Sequence, residues 1–141
     1  MMFATAAGAP QAAQAAIAPT ATIEVATSTV AASPDMEQIV RKYFADTPEL
    51  AEVARCESTF VQFEKNGEIR RGKQNPDDIG VMQINEYYHA KTAKKLGDDL
   101  YTLEGNMAYA KYLYEKNGLS DWEASKPCWE KPVSKLLAKA N

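Results

Sequence analysis

Beyond residue 34 the apolar positions of the chain recur at helical steps, separated by compact turn signals. Ser33-Pro34-Asp35 combines a capping hydroxyl, a first-turn proline and an acid suited to the positive end of a helix dipole. Ile39, Val40, Tyr43 and Phe44 follow at helical spacing. A second start at Asp46-Thr47-Pro48-Glu49 leads to Leu50, Val53, Ala54 and Glu57 at steps of three and four, which sets a carboxylate at the end of an apolar stripe. The period then changes. Phe60-Val61-Gln62-Phe63-Glu64-Lys65 and Glu68-Ile69-Arg70 flank Asn66-Gly67 with alternating polarity, which predicts a small β-hairpin or flap. Asn75-Pro76-Asp77-Asp78 is turn material, and it leads through Gly80 into a buried, strand-like run of Val81, Met82 and Ile84 interleaved with Gln83 and Asn85.

Helical patterning resumes over 87–96 and stops at Gly97. Leu103, Met107, Ala110, Leu113 and Tyr114 mark a longer helix ending at Gly118. Ser120-Asp121-Trp122-Glu123 reads as a capping box for a short helix, and 132–140 as a last one. The fold class expected is mainly α with a minor β component (α+β): a helical domain over 35–141 carrying a hairpin flap.

Residues 1–34 are a different polymer, dominated by Ala, Thr, Ser and Pro, with Glu24 their only charged residue. Such a segment lacks the large side chains needed to offset its chain entropy, so a disordered leader, linker or tether is expected. Ala13-Gln14-Ala15 resembles a small-residue cleavage site. Against a secretory signal, the first basic residue is Arg41, and Gly8, Pro10 and Gln11 interrupt any apolar core.

A chain of 141 residues accommodates one such domain. Its net charge of -3 supplies no basic stripe able to displace counterions from phosphates, which sets nucleic acid aside. No stretch reaches the roughly 18 to 20 apolar residues that span a bilayer, so a protein without a transmembrane segment is expected. Two cysteines and one histidine do not complete a four-ligand zinc site, and no metal or cofactor is implied.

Glu57 is the candidate acid. Apolar neighbours and the negative end of a helix dipole both disfavour a charged carboxyl, which suits a proton donor working near neutral pH. An exposed residue closing an amphipathic helix would show the same spacing. Gln83 and Asn85, amides within an apolar run, need partners. Sugar hydroxyls and acetamides would serve, as would turn backbone.

Three pieces of the chain, Glu57-Ser58-x-Phe60, the Gly80-to-Asn85 run, and Gly105-Asn106-Met107-Ala108-Tyr109-Ala110 with Tyr112-Leu113, resemble the lysozyme-like superfamily by order and spacing. The likeness is to lytic transglycosylases of the soluble Slt type and the small ones associated with secretion systems. It runs from about residue 51 to 129, with His89 and Leu96-Gly97 between the second and third pieces. It implies a lysozyme-like domain that cleaves peptidoglycan between N-acetylmuramic acid and N-acetylglucosamine, with Glu57 as general acid/base. It further implies that Ser58 steadies the site or the sugar, that Phe60 belongs to the substrate-binding set, and that Gln83 and Asn85 line the glycan groove. Asn106, Tyr109 and Tyr112 would come from the helix facing that groove, with core packing as the alternative for the tyrosines. Glycan strands are then the expected partner of a monomeric, extracytoplasmic protein. The chain departs from the Slt pattern where a Tyr-Asn-Ala-Gly type segment is expected and Asp121-Trp122-Glu123-Ala124-Ser125 stands instead.

Asp78-x-Gly-x-x-Gln-Ile-Asn is also similar to the stretch of animal-type lysozymes that carries the second catalytic carboxylate, which would make the protein a hydrolase using Glu57 and Asp78; the retaining and inverting roles of such pairs have lysozyme as their standard example. A turn-capping aspartate is the alternative. A non-catalytic glycan-binding or assembly protein on the same scaffold is the reading from another class. Cys56 and Cys128 are either reduced, buried thiols or a bridge closing about 70 residues, which the chain-entropy model values at about 4 kcal/mol and which requires an oxidising compartment. Arg70, Arg71 and Lys73 either meet an anionic substrate or form a solvated loop.

Overall fold

The computed structural model describes residues 35–140. The expectations for the segment 1–34, and for Ser33 and Pro34 at the first helix start, lie outside these residues. The described chain is mainly helical, with five α-helices and one two-stranded antiparallel sheet. Helices α1 (Met36–Tyr43) and α2 (Pro48–Ser58) are followed by strands β1 (Asp78–Ile79) and β2 (Ile84–Asn85). After these come α3 (Glu86–Leu96), α4 (Leu103–Asn117), a 3₁₀ segment (Ser120–Ser125) and α5 (Lys126–Ala140).

Pro48 opens α2, where its missing N–H costs nothing, and Asp35 takes the cap position of α1 without a side-chain cap bond. The core gathers Val40 and Phe44 from the α1 end, Leu50, Val53 and Ala54 from α2, Ile79, Val81 and Met82 from the sheet turn, and Tyr109 and Ala110 from α4. Two buried tryptophans close it: the Trp122 indole donates to Met82 O (2.9 Å), and the Trp129 indole donates to Trp122 O (2.9 Å).

The expected hairpin around Asn66-Gly67 is present as a single antiparallel bridge, Phe63 to Ile69, with Arg70 N–H donating to Gln62 O (2.9 Å). It does not lengthen into strands, and Phe63 stays exposed, so the pairing buries little apolar surface. The paired sheet lies further on, with Asp78 opposite Asn85 and Ile79 opposite Ile84. Of the strand-like run, only Ile84–Asn85 is strand, because side chains capture the backbone ahead of it. Gln62 Oε1 accepts from Val81 N–H (2.7 Å) and Asn106 Oδ1 accepts from Met82 N–H (2.9 Å), which holds a tight turn in place of a ladder. Gly80 sits at φ +76°, and a Cβ there would lie 2.4 Å from Asn106 Nδ2, so both backbone sign and space demand glycine.

Two C-terminal expectations are corrected. Ser120 does not cap: its hydroxyl donates to Asn117 O (2.9 Å), satisfying the end of α4, and the following residues wind as a 3₁₀ segment. The last helix starts at Lys126 and passes through Pro132, six residues ahead of the expected start. Trp129 and Val133, buried on its inner face, and the Cys56–Cys128 bond hold α5 to the body of the domain, and that tertiary anchoring outweighs the backbone bond that Pro132 removes. The cysteines therefore form a bridge, with a Cα–Cα distance of 6.0 Å. No helix among the described residues is long and apolar enough to cross a membrane.

Candidate active site

Glu57 lies in the last turn of α2, and the chain turns sharply just beyond it. Thr59 (φ 56°) and Phe60 (φ 61°) both take left-handed backbone, which a β-branched and an aromatic residue adopt only when the surroundings impose it. The imposing contacts are visible. Phe60 is buried in the core, and the buried Ser58 hydroxyl donates to Val81 O (2.7 Å) while accepting from Val61 N–H (3.1 Å). Gln83 (φ 51°) is the remaining non-glycine in this region among the described residues, so the left-handed side chains all stand at the two turns that border Glu57's cleft.

That cleft has two hollows meeting at Glu57, Asp78, Gln83 and Ala124, which line both. The larger, about 420 Å³, is bordered by the basic segment from Arg70 to Lys73. The smaller, about 140 Å³, adds Asn85, His89, Asp121 and Trp122. A polymer threaded through both would pass the Glu57 carboxyl at their junction.

Burial pushes the Glu57 carboxyl above the usual carboxylate range; the Ser125 hydroxyl bond to Oε1 (2.6 Å) opposes this, and the Asp78 charge adds to it. The helix C-terminus acts in the same direction as burial. Asp78 Oδ1 is held by Asn85 Nδ2 (2.8 Å) and Asn75 Nδ2 (3.3 Å). Asn85 also caps α3, accepting from Tyr88 N–H (3.2 Å), and Gln83 donates to Gly80 O (2.8 Å). The two amides thus bond the protein while lining the cleft.

The remaining residues of the expected set stand behind the cleft or beside it. Ser58 and Phe60 are buried at the helix end. Asn106 is fully buried, with Nδ2 donating to Ile79 O (3.0 Å) and Leu100 O (3.1 Å), which makes it a brace for the turn that presents Gln83. Tyr109 is a core residue whose hydroxyl meets His89 Nδ1 (3.0 Å), and Tyr112 packs beside it with ring centroids 5.3 Å apart. Neither tyrosine lines the two hollows. Ser58, Phe60, Asn106 and Tyr109 thus stand in the interior, and Tyr112 is half-buried beside Tyr109.

Of the basic residues beside the hairpin, Arg70 pairs with Glu64 (2.9 Å) and Arg71 with Glu86 (2.6 Å), the latter also bonded by the Tyr101 hydroxyl. Lys73 is exposed at the border of the larger hollow. Among the described residues no group of three or more His, Cys, Asp or Glu side chains is placed to hold a metal ion.

Ser125, Trp122 and Ala124 border the cleft although they lie outside the expected site set. Their signal in the chain is the cysteine pair: a bond from Cys56 to Cys128 places the residues just before 128 beside the residue just after 56. No family model, curated protein or solved structure matches the chain.

Proposed function

We propose that the protein is a peptidoglycan-cleaving muramidase on a lysozyme-like scaffold, acting as a lytic transglycosylase with Glu57 as its general acid/base. The observation that carries this reading is the Glu57 carboxyl at the junction of two hollows, buried enough to hold its proton at a pH where ordinary carboxyls have lost theirs. In the first step Glu57 gives that proton to the glycosidic oxygen between N-acetylmuramic acid and N-acetylglucosamine as the bond to C1 breaks. Positive charge then develops on the muramic acid ring, where the Asp78 carboxylate would stabilise it. In the second step the Glu57 carboxylate takes the proton of the muramic acid C6 hydroxyl as that oxygen bonds to C1, leaving a 1,6-anhydro product. Gln83 and Asn85 would orient the sugar amides and hydroxyls. The bridge between Cys56 and Cys128 fits an oxidising, extracytoplasmic setting, where this substrate is found.

A second reading is hydrolysis by Glu57 and Asp78 together, favoured by Asp78 lining both hollows with Glu57. Mass spectrometry of digested sacculi separates the two. Anhydro-ended muropeptides support transglycosylation, and reducing ends alone support hydrolysis. No released muropeptides at all would favour a glycan-binding protein.

A further inference from the structure

We propose that Ser125 is a positioning residue that serves both protonation states of Glu57, by rotating one hydroxyl hydrogen between two fixed acceptors while the carboxyl gives up and regains its proton. The inference rests on the reading of Glu57 as an acid that becomes a base within one cycle.

Ser125 Oγ lies 2.6 Å from Glu57 Oε1 and 3.1 Å from Trp122 O. A serine hydroxyl has one hydrogen to donate and two lone pairs to accept with. When Glu57 is ionised, both neighbours are acceptors and compete for that hydrogen. The charged and closer carboxylate takes it. When Glu57 is protonated, its own O–H becomes a donor and points at Ser125 Oγ, and the serine hydrogen turns to the Trp122 carbonyl. In each state Glu57 Oε1 and Ser125 Oγ stay bonded to each other, and no heavy atom has to move between the two.

The surroundings fix the partners of this exchange. Trp122 O also accepts from the Trp129 indole (2.9 Å), and the Trp122 indole is anchored on Met82 O, so the second acceptor belongs to a buried, rigid pair of rings. Cys128, three residues beyond Ser125, is bonded to Cys56, one residue before Glu57, which holds the two side chains together. The titratable and charged side chains facing the carboxyl from other elements are Asp78 from β1, and Arg70, Arg71 and Lys73 along the larger hollow, with His89 and Asp121 along the smaller. Among the described residues, only Ser125 hydrogen-bonds the Glu57 carboxyl. The serine hydrogen is never transferred. The proton that moves is Glu57's own, out to the glycosidic oxygen and back from the C6 hydroxyl.

Removing the hydroxyl takes a donor from the ionised state and an acceptor from the protonated one, and the bond to the charged carboxylate is the stronger of the two, so the ionised state loses more. Ser125→Ala should therefore move the basic limb of the pH–activity profile upward and slow turnover about tenfold to a hundredfold, the worth of one hydrogen bond to a charged group. Ser125→Thr keeps a hydroxyl and should restore both. The decisive measurement needs no substrate: ¹³C NMR titration of the Glu57 carboxyl in the wild-type protein, Ser125→Ala and Ser125→Thr, with Ser125→Gly as a second donor-less variant should the alanine protein fail to fold. The expected midpoint is higher by about one pH unit without the hydroxyl and close to wild type with threonine. Equal midpoints in wild type and the donor-less variants would overturn the proposal. The outcome is separable from the function itself, because a shifted midpoint in a protein that cleaves no peptidoglycan would leave the coupling standing and remove only the muramidase.

Discussion

Cys56 and Cys128 bond one residue before Glu57 and three residues beyond Ser125, so a covalent link stands directly behind the hydrogen bond those two side chains make. The link joins α2 to α5, and it closes 72 residues of separation around the whole sheet and two further helices. Its contribution is both to stability and to the placement of the donor on Glu57. Reduction, or the Cys56→Ala/Cys128→Ala pair, should cost about 4 kcal/mol in the chain-entropy model and lower the melting temperature. Cleavage should fall further than the folded fraction does, since the 3₁₀ segment carrying Ser125 loses its clamp. Thermal unfolding and activity measured with and without reductant test this, and identical values in both would count against the clamp.

Glu57 should make the fold less stable at neutral pH. Burial raises its folded-state pKa above the unfolded value, so the neutral form is favoured by folding. That contribution is fully present below the unfolded pKa and is lost as pH rises through the folded pKa, where folding must hold a buried charge. Glu57→Gln should thus melt at a higher temperature than wild type at pH 7, with the advantage vanishing at pH 4. Melting curves across that range check it, and a variant less stable than wild type at pH 7 would contradict the burial argument.

The role of Asp78 is separable from its fold contacts. Its charge raises the Glu57 pKa, so Asp78→Asn should bring the basic limb of activity to lower pH while leaving the anhydro product unchanged. Under the transglycosylase reading, its loss of rate is smaller than that of Glu57→Gln. A pH–rate profile with product analysis decides, and equal losses in the two variants would move the assignment to the two-carboxylate hydrolase.

Much of the architecture is legible in the chain because the signals are local. Glu57 at the end of the Leu50, Val53, Ala54 stripe, the Gly97 and Gly118 helix stops, and the amides of Gln83 and Asn85 in an apolar run all announce themselves within a few residues. What local reading misses is set from far away. The Gly80–Gln83 turn looks like a strand because nothing nearby reveals that Gln62 and Asn106 take the Val81 and Met82 N–H groups. Asn106 and Ser58 are polar residues in a motif, and the same pattern suits a groove contact or a buried brace; the sequence does not carry the depth at which the fold sets them. Pro132 argues for a helix boundary that tertiary packing of Trp129 and Val133 overrides.

Asn106 yields a quantitative check on that brace. Its side chain bonds Met82 N–H, Ile79 O and Leu100 O in the interior, and Asn106→Ala removes all three bonds. The expected destabilisation is about 3 kcal/mol or more, with activity lost in step as the Gln83 turn loosens. Urea unfolding measures it, and a change under about 1 kcal/mol would mean that water replaces the amide without penalty.

The central claim is that the Glu57 proton cleaves glycan strands. It is tested most directly by the rate at which soluble muropeptides leave purified sacculi, for wild type and for folded Glu57→Gln. The account predicts release by the wild type and a loss of at least about 10²-fold in the variant, the contribution of a positioned acid. Equal release by the two proteins would contradict it.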